Sequence, residues 1–445
     1  MRNLFAGMVL TLAVISGSAQ ASERFHPNHL FIKMKQGQSL VKSPLIRSAK
    51  KVAKNIYLVK TRDALALESS LKSNSKIEYV QKDFYGDKKA MPKLEVLDEV
   101  QLQMMKVFNQ SFSFNDPDVS KLWAFNASAG MDVNSSYSSL PNRTAEDIIV
   151  AVVDTGVDYN HDDLRNVMWV NSGEIAADGI DNDGNGYIDD VHGINTLVRD
   201  AEGRATGNPM ASHWHGTHVS GTIAAEQNNA IGIAGVASNV KIMAIRTVPD
   251  AADELDSDIV ESFRYAAKHG AKVINCSFGK SKNEGGMVVR DVINEIGETH
   301  NVLVIASAGN DSMGPFNWHN NDVSPKFPAS FDSENLLVIA STTSSGGLST
   351  FSNIGKVTVD VGAPGSNIYS TLTSNRYGMA SGTSMASPNT SGVAAMVLGY
   401  YPEISAVELK QILMNSVTPV SDFSSKISSG GRVNLKAALQ KAANL

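Results

Sequence analysis

From Asp147 onward the chain alternates short runs of β-branched residues with longer helical patterns, and this alternation limits the possible folds more than any other feature. The runs at 148–153, 240–245, 272–276, 302–307 and 336–341 are apolar almost throughout. A strand covered on one face alternates apolar with polar residues, whereas a continuous apolar run implies cover on both faces, as in parallel sheets. Helical patterns follow or intervene at 217–226, 258–269, 288–299, 383–400, 406–415 and 435–443. The order predicts an α/β fold with a doubly wound, mainly parallel sheet flanked by helices. In such sheets the ligand crevice lies at the carboxyl ends of the strands.

The segments before this body read differently. Arg2, an apolar run over 4–15 and Ala19-Gln20-Ala21 fit a secretory signal peptide at 1–21, and the run is too short to span a bilayer. Residues 22–90 hold 15 Lys and Arg against 6 Asp and Glu, a net of +9 in a chain whose total is −6. No aromatic-interleaved basic motif accompanies that charge, so docking of a basic leader onto an acidic body is favoured over nucleic-acid binding. Within 22–85, strands are predicted at 30–34, 55–59 and 76–80 and a helix at 64–72. Such a small α+β unit is near the lower size limit for independent stability and needs a partner surface. Residues 86–115 read as a linker and processing region with an amphipathic helix over 94–108, and 116–445 as the main domain. Cys276 is the single cysteine, so no intramolecular disulfide can stiffen an exported chain; a buried structural thiol is expected.

Three polar motifs sit at predicted strand ends or helix starts. Asp154-Thr155-Gly156 directly follows the 148–153 run. Its carboxylate is either half of an aspartic dyad, for which the chain offers no second Asp-Thr-Gly or Asp-Ser-Gly, or the orienting partner of a histidine. His213-Trp214-His215-Gly216-Thr217-His218 enters the 217–226 helix. His215 and His218 are three apart, but the stretch lacks the His-Glu-x-x-His arrangement of a zinc peptidase. Packing beneath the site is the expected role of His218. Gly382-Thr383-Ser384-Met385-Ala386-Ser387-Pro388 opens a helix rich in small residues. Ser384 taken alone reads as an N-cap; with a base and an orienting carboxylate it reads as a nucleophile. Ser307-Ala308-Gly309-Asn310 follows another strand, and the Asn310 amide offers N–H donors to a developing oxyanion, with loop capping as the alternative.

Taken together and in this order, Asp154-Thr155-Gly156-Val157-Asp158, His215-Gly216-Thr217-His218-Val219-Ser220-Gly221, Ala308-Gly309-Asn310 and Gly382-Thr383-Ser384-Met385-Ala386-Ser387-Pro388 resemble the subtilisin-type serine proteases, or subtilases. The resemblance runs from about Asp116 to Leu439 and includes Gly431-Arg432-Val433-Asn434 as a closing segment. It implies that Asp154 orients the base, His215 is the general base and acid, Ser384 is the nucleophile, and Asn310 with the Ser384 N–H forms the oxyanion hole. It implies that Ser277-Phe278-Gly279 pairs with the substrate backbone as an added strand, and that 22–85 is a ferredoxin-like inhibitory propeptide acting as folding chaperone. Asn389 and Asp162 depart from the family pattern at positions that carry no chemistry. The implied protein is a secreted, self-processing serine endopeptidase acting on polypeptides. It would be monomeric, with no organic cofactor, no nucleic-acid partner and no membrane span in the mature form. Extracellular release is expected, the periplasm being the other destination.

The loop 178–190 carries Asp181, Asp183 and Asn185 at alternating positions before Gly186, resembling the start of an EF-hand loop. His192 stands where the closing glutamate would be, so Asp189 or Asp190 would have to complete a calcium site. Asp250, Asp253, Glu254, Asp256 and Asp258 crowd the segment after the 240–245 run; this reads either as a solvated acidic loop or as a preference for basic residues upstream of the cut.

Overall fold

The computed structural model describes residues 24–86, 93–95, 113–250, 254–280, 286–314 and 317–445. The expected signal peptide and the 96–108 part of the expected linker helix lie outside these residues. Leu94–Glu95 is a short strand, not the start of a helix. It lies antiparallel along Met379 and Ala380, extending the hairpin Ile368–Leu372/Arg376–Ala380.

The leading unit is a four-stranded antiparallel sheet in the order Ile46–Ala53, Ile56–Thr61, Phe25–Met34, Ile77–Phe84, with the helix Ala64–Leu71 on one face. Asp63 caps that helix by accepting the Ala66 N–H at 3.0 Å. The period of two then divides the apolar residues. Leu30 and Ile32 join Val59, Leu67 and Leu71 under the unit's own helix. Phe31, with Val52, Ala53 and Ile56, faces the other way, into a core shared with Ile259, Phe263, Val289 and Val292 of the main unit. This shared face is the physical form of the expected need for a partner. The strand Ile46–Ala53 escaped sequence reading because residues 47–51 are all exposed and Arg47, Lys50 and Lys51 are charged, as suits an edge strand.

The main unit is built on a ten-stranded sheet. Its parallel centre runs Val361–Pro364, Leu336–Thr342, Leu303–Ser307, Val273–Cys276, Ile148–Asp154, Val240–Arg246 and Gly193–Arg199. Short antiparallel strands close both edges. Helices cover both faces, and Ile148–Asp154 shows why the runs are continuous. Val150 and Val152 pack with the helices His215–Ala224 and Thr383–Tyr400, while Ala151 and Val153 pack with Asp256–Lys268 and Val288–His300. The fold class is therefore the α/β arrangement expected. Near the C-terminus the buried Arg432 donates to the carbonyls of Gly130 and Ser128, tying the closing segment to the start of the unit. Cys276 is fully buried, and burial pushes its thiol pKa well up.

The two units meet through polar groups as well as Phe31. Lys33 pairs with Asp291 at 3.1 Å, Tyr79 donates to Asp291 at 2.7 Å, and Lys50 pairs with Glu261 at 3.1 Å. Asp83 accepts the Ser257 N–H, and Gln81 Oε1 accepts the Met287 and Val288 N–H groups. Two helix starts in the main unit are thus capped by side chains of the leading unit.

Candidate active site

Strand ends and helix starts converge at the carboxyl edge of the parallel sheet. Asp154 closes its strand and His215 opens its helix. His215 Nδ1 donates to Asp154 Oδ1 at 2.7 Å, and both residues are 1% exposed. The same oxygen accepts the Thr155 N–H at 2.7 Å, and the Gly216 N–H donates to Thr155 Oγ at 3.1 Å. This approach needs glycine at 216, where an added Cβ would lie 2.1 Å from the Gly156 carbonyl oxygen. With Nδ1 donating to a carboxylate, Nε2 is left as the acceptor. His215 Nε2 is buried with no hydrogen-bond partner among the described residues. An unpaired acceptor of this kind is suited to receiving a proton.

Ser384 is the second residue of the helix Thr383–Tyr400, whose N-cap is Gly382, so the N-cap reading of the serine is corrected. Its hydroxyl donates to the Ser277 carbonyl at 3.0 Å, and Ser277 Oγ donates back to the Ser384 carbonyl at 3.0 Å. Ser384 and His215 are thus not hydrogen-bonded to each other. A serine hydroxyl exchanges acceptors by one rotamer step, and catalytic hydrogen bonds often tighten only with substrate present. Asn275 braces the arrangement: its amide donates to Ser277 Oγ at 2.9 Å and its oxygen accepts from Ser387 and Ser391.

Asn310 lies beside the same helix start. Its Oδ1 accepts both the N–H and the hydroxyl of Thr383, each at 2.9 Å. A backbone N–H can only donate, so this contact fixes the amide oxygen inward and leaves the NH2 group on the opposite side. Thr383 Oγ in turn accepts the Gly309 N–H at 3.2 Å. The arrangement holds a hydroxyl, an imidazole bonded to a carboxylate, and an oriented amide around one helix N-terminus, where the dipole favours negative charge.

Ser277, Phe278 and Gly279 follow the strand Val273–Cys276 and border the same cleft. Lys280 next to them exchanges backbone hydrogen bonds with Phe327 at 2.8 Å. Facing them is the segment at Glu254 and Leu255, already paired with the end of the leading unit. Tyr85 forms an antiparallel bridge with Leu255, and the Gly86 N–H donates to the Glu254 carbonyl at 2.8 Å.

The sequence profile of the subtilase family matches residues 145–434. The chain belongs to the subtilase family. It is 30% identical over 75% of its length to "Subtilisin-like protease 1" of Plasmodium berghei, covering 56% of that protein. It is 29% identical over 96% of its length to "Extracellular protease" of Xanthomonas campestris, covering 74% of it. A solved protease from Pseudoalteromonas arctica superposes with a TM-score of 0.59 at 26% identity, covering 74% of this chain and 99% of that one. The chain spans about half the length of the two Plasmodium relatives, from P. berghei and P. vivax, at 56% and 47%.

In this subtilase His218 is fully buried, its Nε2 bonded to the Ile368 carbonyl at 3.0 Å. Burial, reinforced by the neighbouring His215, pushes its pKa down to about 3, which leaves it a neutral packing residue. The acidic loop is divided in two by its geometry. Oxygens of Glu174, Asp183 and Asp190 lie within 4.8 Å of one another, a donor set that a hard cation such as calcium would accept. Asp181 and Asp189 instead accept backbone N–H groups, Asp181 from Asn185 and Gly186, Asp189 from Asp178 and Gly179. Asn185 donates its amide to Asp183 and Asp190. Glu174 went unnoticed in the sequence because it precedes the glycine-rich loop and carries no spacing signal. Its carboxylate also accepts the N–H groups of Asn182, Asp183 and Asp189, so it organises the loop itself.

Proposed function

We propose that this subtilase is a secreted endopeptidase that cleaves peptide bonds through an acyl-enzyme, and that it is made as a precursor which processes itself. The buried 2.7 Å bond between His215 and Asp154 carries the reading, because it leaves His215 Nε2 unpaired beside a serine helix start. Ser384 Oγ attacks the scissile carbonyl as His215 Nε2 takes its proton. Asp154 holds the imidazole tautomer and stabilises the imidazolium that forms. The Ser384 N–H and the Asn310 amide donate to the oxyanion, and His215 then returns the proton to the leaving amine. Water repeats the sequence on the acyl group to free Ser384.

Residues 22–85 act in this reading as an inhibitory propeptide and folding chaperone. Support comes from the pairing of Tyr85 and Gly86 with the cleft strand, and of Leu94 and Glu95 with Met379 and Ala380, close to Ser384. Substrate chains would use the same strand-addition mode, with Ser277, Phe278 and Gly279 as the second wall. Self-cleavage then falls between Gly86 and Leu94. Release outside the cell follows the relatives from Xanthomonas campestris and Dichelobacter nodosus, whose names describe extracellular proteases. Among the described residues no helix is long and apolar enough to cross a membrane. Calcium held by Glu174, Asp183 and Asp190 would add stability that disulfides cannot supply, since the chain has one cysteine. Mass spectrometry of the expressed chain tests the whole reading. The native sequence should yield a new N-terminus between residues 87 and 94, and Ser384→Ala should stay uncut. Normal processing of Ser384→Ala would refute self-cleavage.

A further inference from the structure

We propose that His213 is a positioning residue for the base: its neutral ring anchors the backbone of His215, and acid undoes that anchor. This rests on the peptidase reading above. The helix His215–Ala224 opens with no capping side chain at its N-cap, Trp214. Its first two N–H groups reach other side chains instead. The His215 N–H donates to His213 Nδ1 at 3.2 Å, and the Gly216 N–H donates to Thr155 Oγ at 3.1 Å. The His215 ring is fixed separately, through its Nδ1 bond to Asp154. The direction of Nε2 therefore depends on two holds, one on the ring and one on the backbone.

A ring nitrogen that accepts a hydrogen bond carries no proton, so the contact with His215 sets the His213 tautomer, with Nδ1 bare and the hydrogen on Nε2. Protonation turns Nδ1 into a donor facing the His215 N–H, and the anchor is lost. It also puts a cation on a ring whose centre is 6.5 Å from that of His215, which must itself become an imidazolium during turnover. Both effects slow the reaction. Among the described residues the charged groups around the half-buried His213 are His215 and Asp154 on the side of the site and Asp250 on the other. Asp250 is engaged by the Ser212 hydroxyl and by Arg246 Nη2 at 3.5 Å, which divides its pull on a His213 cation. Burial first and His215 second lower the His213 pKa from its ordinary 6.5, against Asp154 and Asp250. The ring is thus neutral and the anchor intact at neutral pH, and both give way below it.

Two variants separate the anchor from the ring. His213→Phe keeps an aromatic ring and removes the acceptor. His213→Asn keeps an acceptor on Cγ, where Nδ1 is attached, cannot titrate, and at this spacing takes the N–H two residues on. Full chains are expressed and allowed to process, and rates on one peptide are counted per serine titrated with a fluorophosphonate. At about pH 8, His213→Phe should lower kcat by about three- to tenfold with KM retained, the scale of one hydrogen bond, and His213→Asn should restore most of it. Below about pH 6.5 kcat/KM of the native enzyme should fall more steeply than one proton accounts for, and that of His213→Asn only in proportion to the proton concentration. An undiminished kcat in His213→Phe, or equal acid slopes in the native and His213→Asn enzymes, overturns the assignment of His213 alone. No serine labelled and no peptide cut overturns the peptidase reading and this one with it. Should His213→Phe fail to fold, the two acid slopes decide the matter.

Discussion

The leading and main units solve the same problem in opposite ways. In the main unit the central strands are covered on both faces by helices, and its proposed catalytic pair Asp154 and His215 is buried. The leading unit covers one face with a single helix and lends the other, through Phe31, to its partner. What holds it beyond that is polar: ion pairs at Lys33 and Lys50, and two buried caps from Gln81 and Asp83. An open cavity of about 630 Å³ remains between the units. In the proposed precursor such a sheet would guide folding and block the cleft, then come away once its covalent link is cut. A core closed on both faces cannot.

The largest expected effect touches the main unit alone. Asp154→Asn should lower kcat by about 10⁴-fold, because the wrong imidazole tautomer is held, while the leading unit stays docked and uncut. Peptide hydrolysis and the mass of the purified chain measure both halves, and loss of docking in this variant would break the separation drawn here. The converse change is Phe31→Ala. Removing a fully buried ring from the shared face should cost about 3 kcal/mol, weakening inhibition by the leading unit without altering turnover by the processed enzyme. Inhibition constants for the leading unit from native and variant chains read this directly, and unchanged values would show that the polar contacts dominate.

Chelation comes next. A cation saturated about 100-fold above its Kd contributes about 2.7 kcal/mol. Excess chelator should therefore lower the melting temperature of the processed enzyme, and Asp183→Asn should abolish the response. A melting curve indifferent to chelator would remove the cation from the account of the main unit.

The last effect is a pH slope. His218 has a folded pKa of about 3 against an ordinary 6.5, so the native state resists protonation that the unfolded state accepts. Above pH 6.5 both states are neutral and nothing is lost. As pH falls from 6.5 towards 3, stability should decline by about 1.4 kcal/mol per unit from this group. Denaturant titrations of native and His218→Phe chains should show a shallower acid slope in the variant, and equal slopes would place the sensitivity elsewhere.

Particular residues show how far local reading reaches. Continuous apolar runs announced the central strands, because burial on both faces leaves a mark on every residue. The edge strand Ile46–Ala53 left little, since residues 47–51 are exposed and only Val52 and Ala53 at its end are buried. Gly193–Arg199 was missed for a related reason: its last residues turn to solvent, and Arg199 is held by Asp258 and Glu261. In the acidic loop the carboxylates were visible as a group, but alternation alone could not separate those that face one another from those that stand apart. Asp181 and Asp189 turned to N–H groups because the positive φ of Gly184, Gly186 and Asp189 folds the loop back on itself. Glu174 entered from outside the loop.

The sequence by itself determined the α/β class, the order of motifs and the residue types that serine chemistry requires, since each depends on local pattern and composition. Only the tertiary structure decided which of those residues meet. Asp154 and His215 are 61 residues apart in the chain and 2.7 Å apart in space, an approach that rests on the missing side chain at Gly216. Ser384 lies against Ser277, 107 residues away, and Gly86 against Glu254, because strands and helices were brought edge to edge by the burial of their apolar faces. Local pattern records which faces a residue shows; it does not record what another part of the chain brings to them.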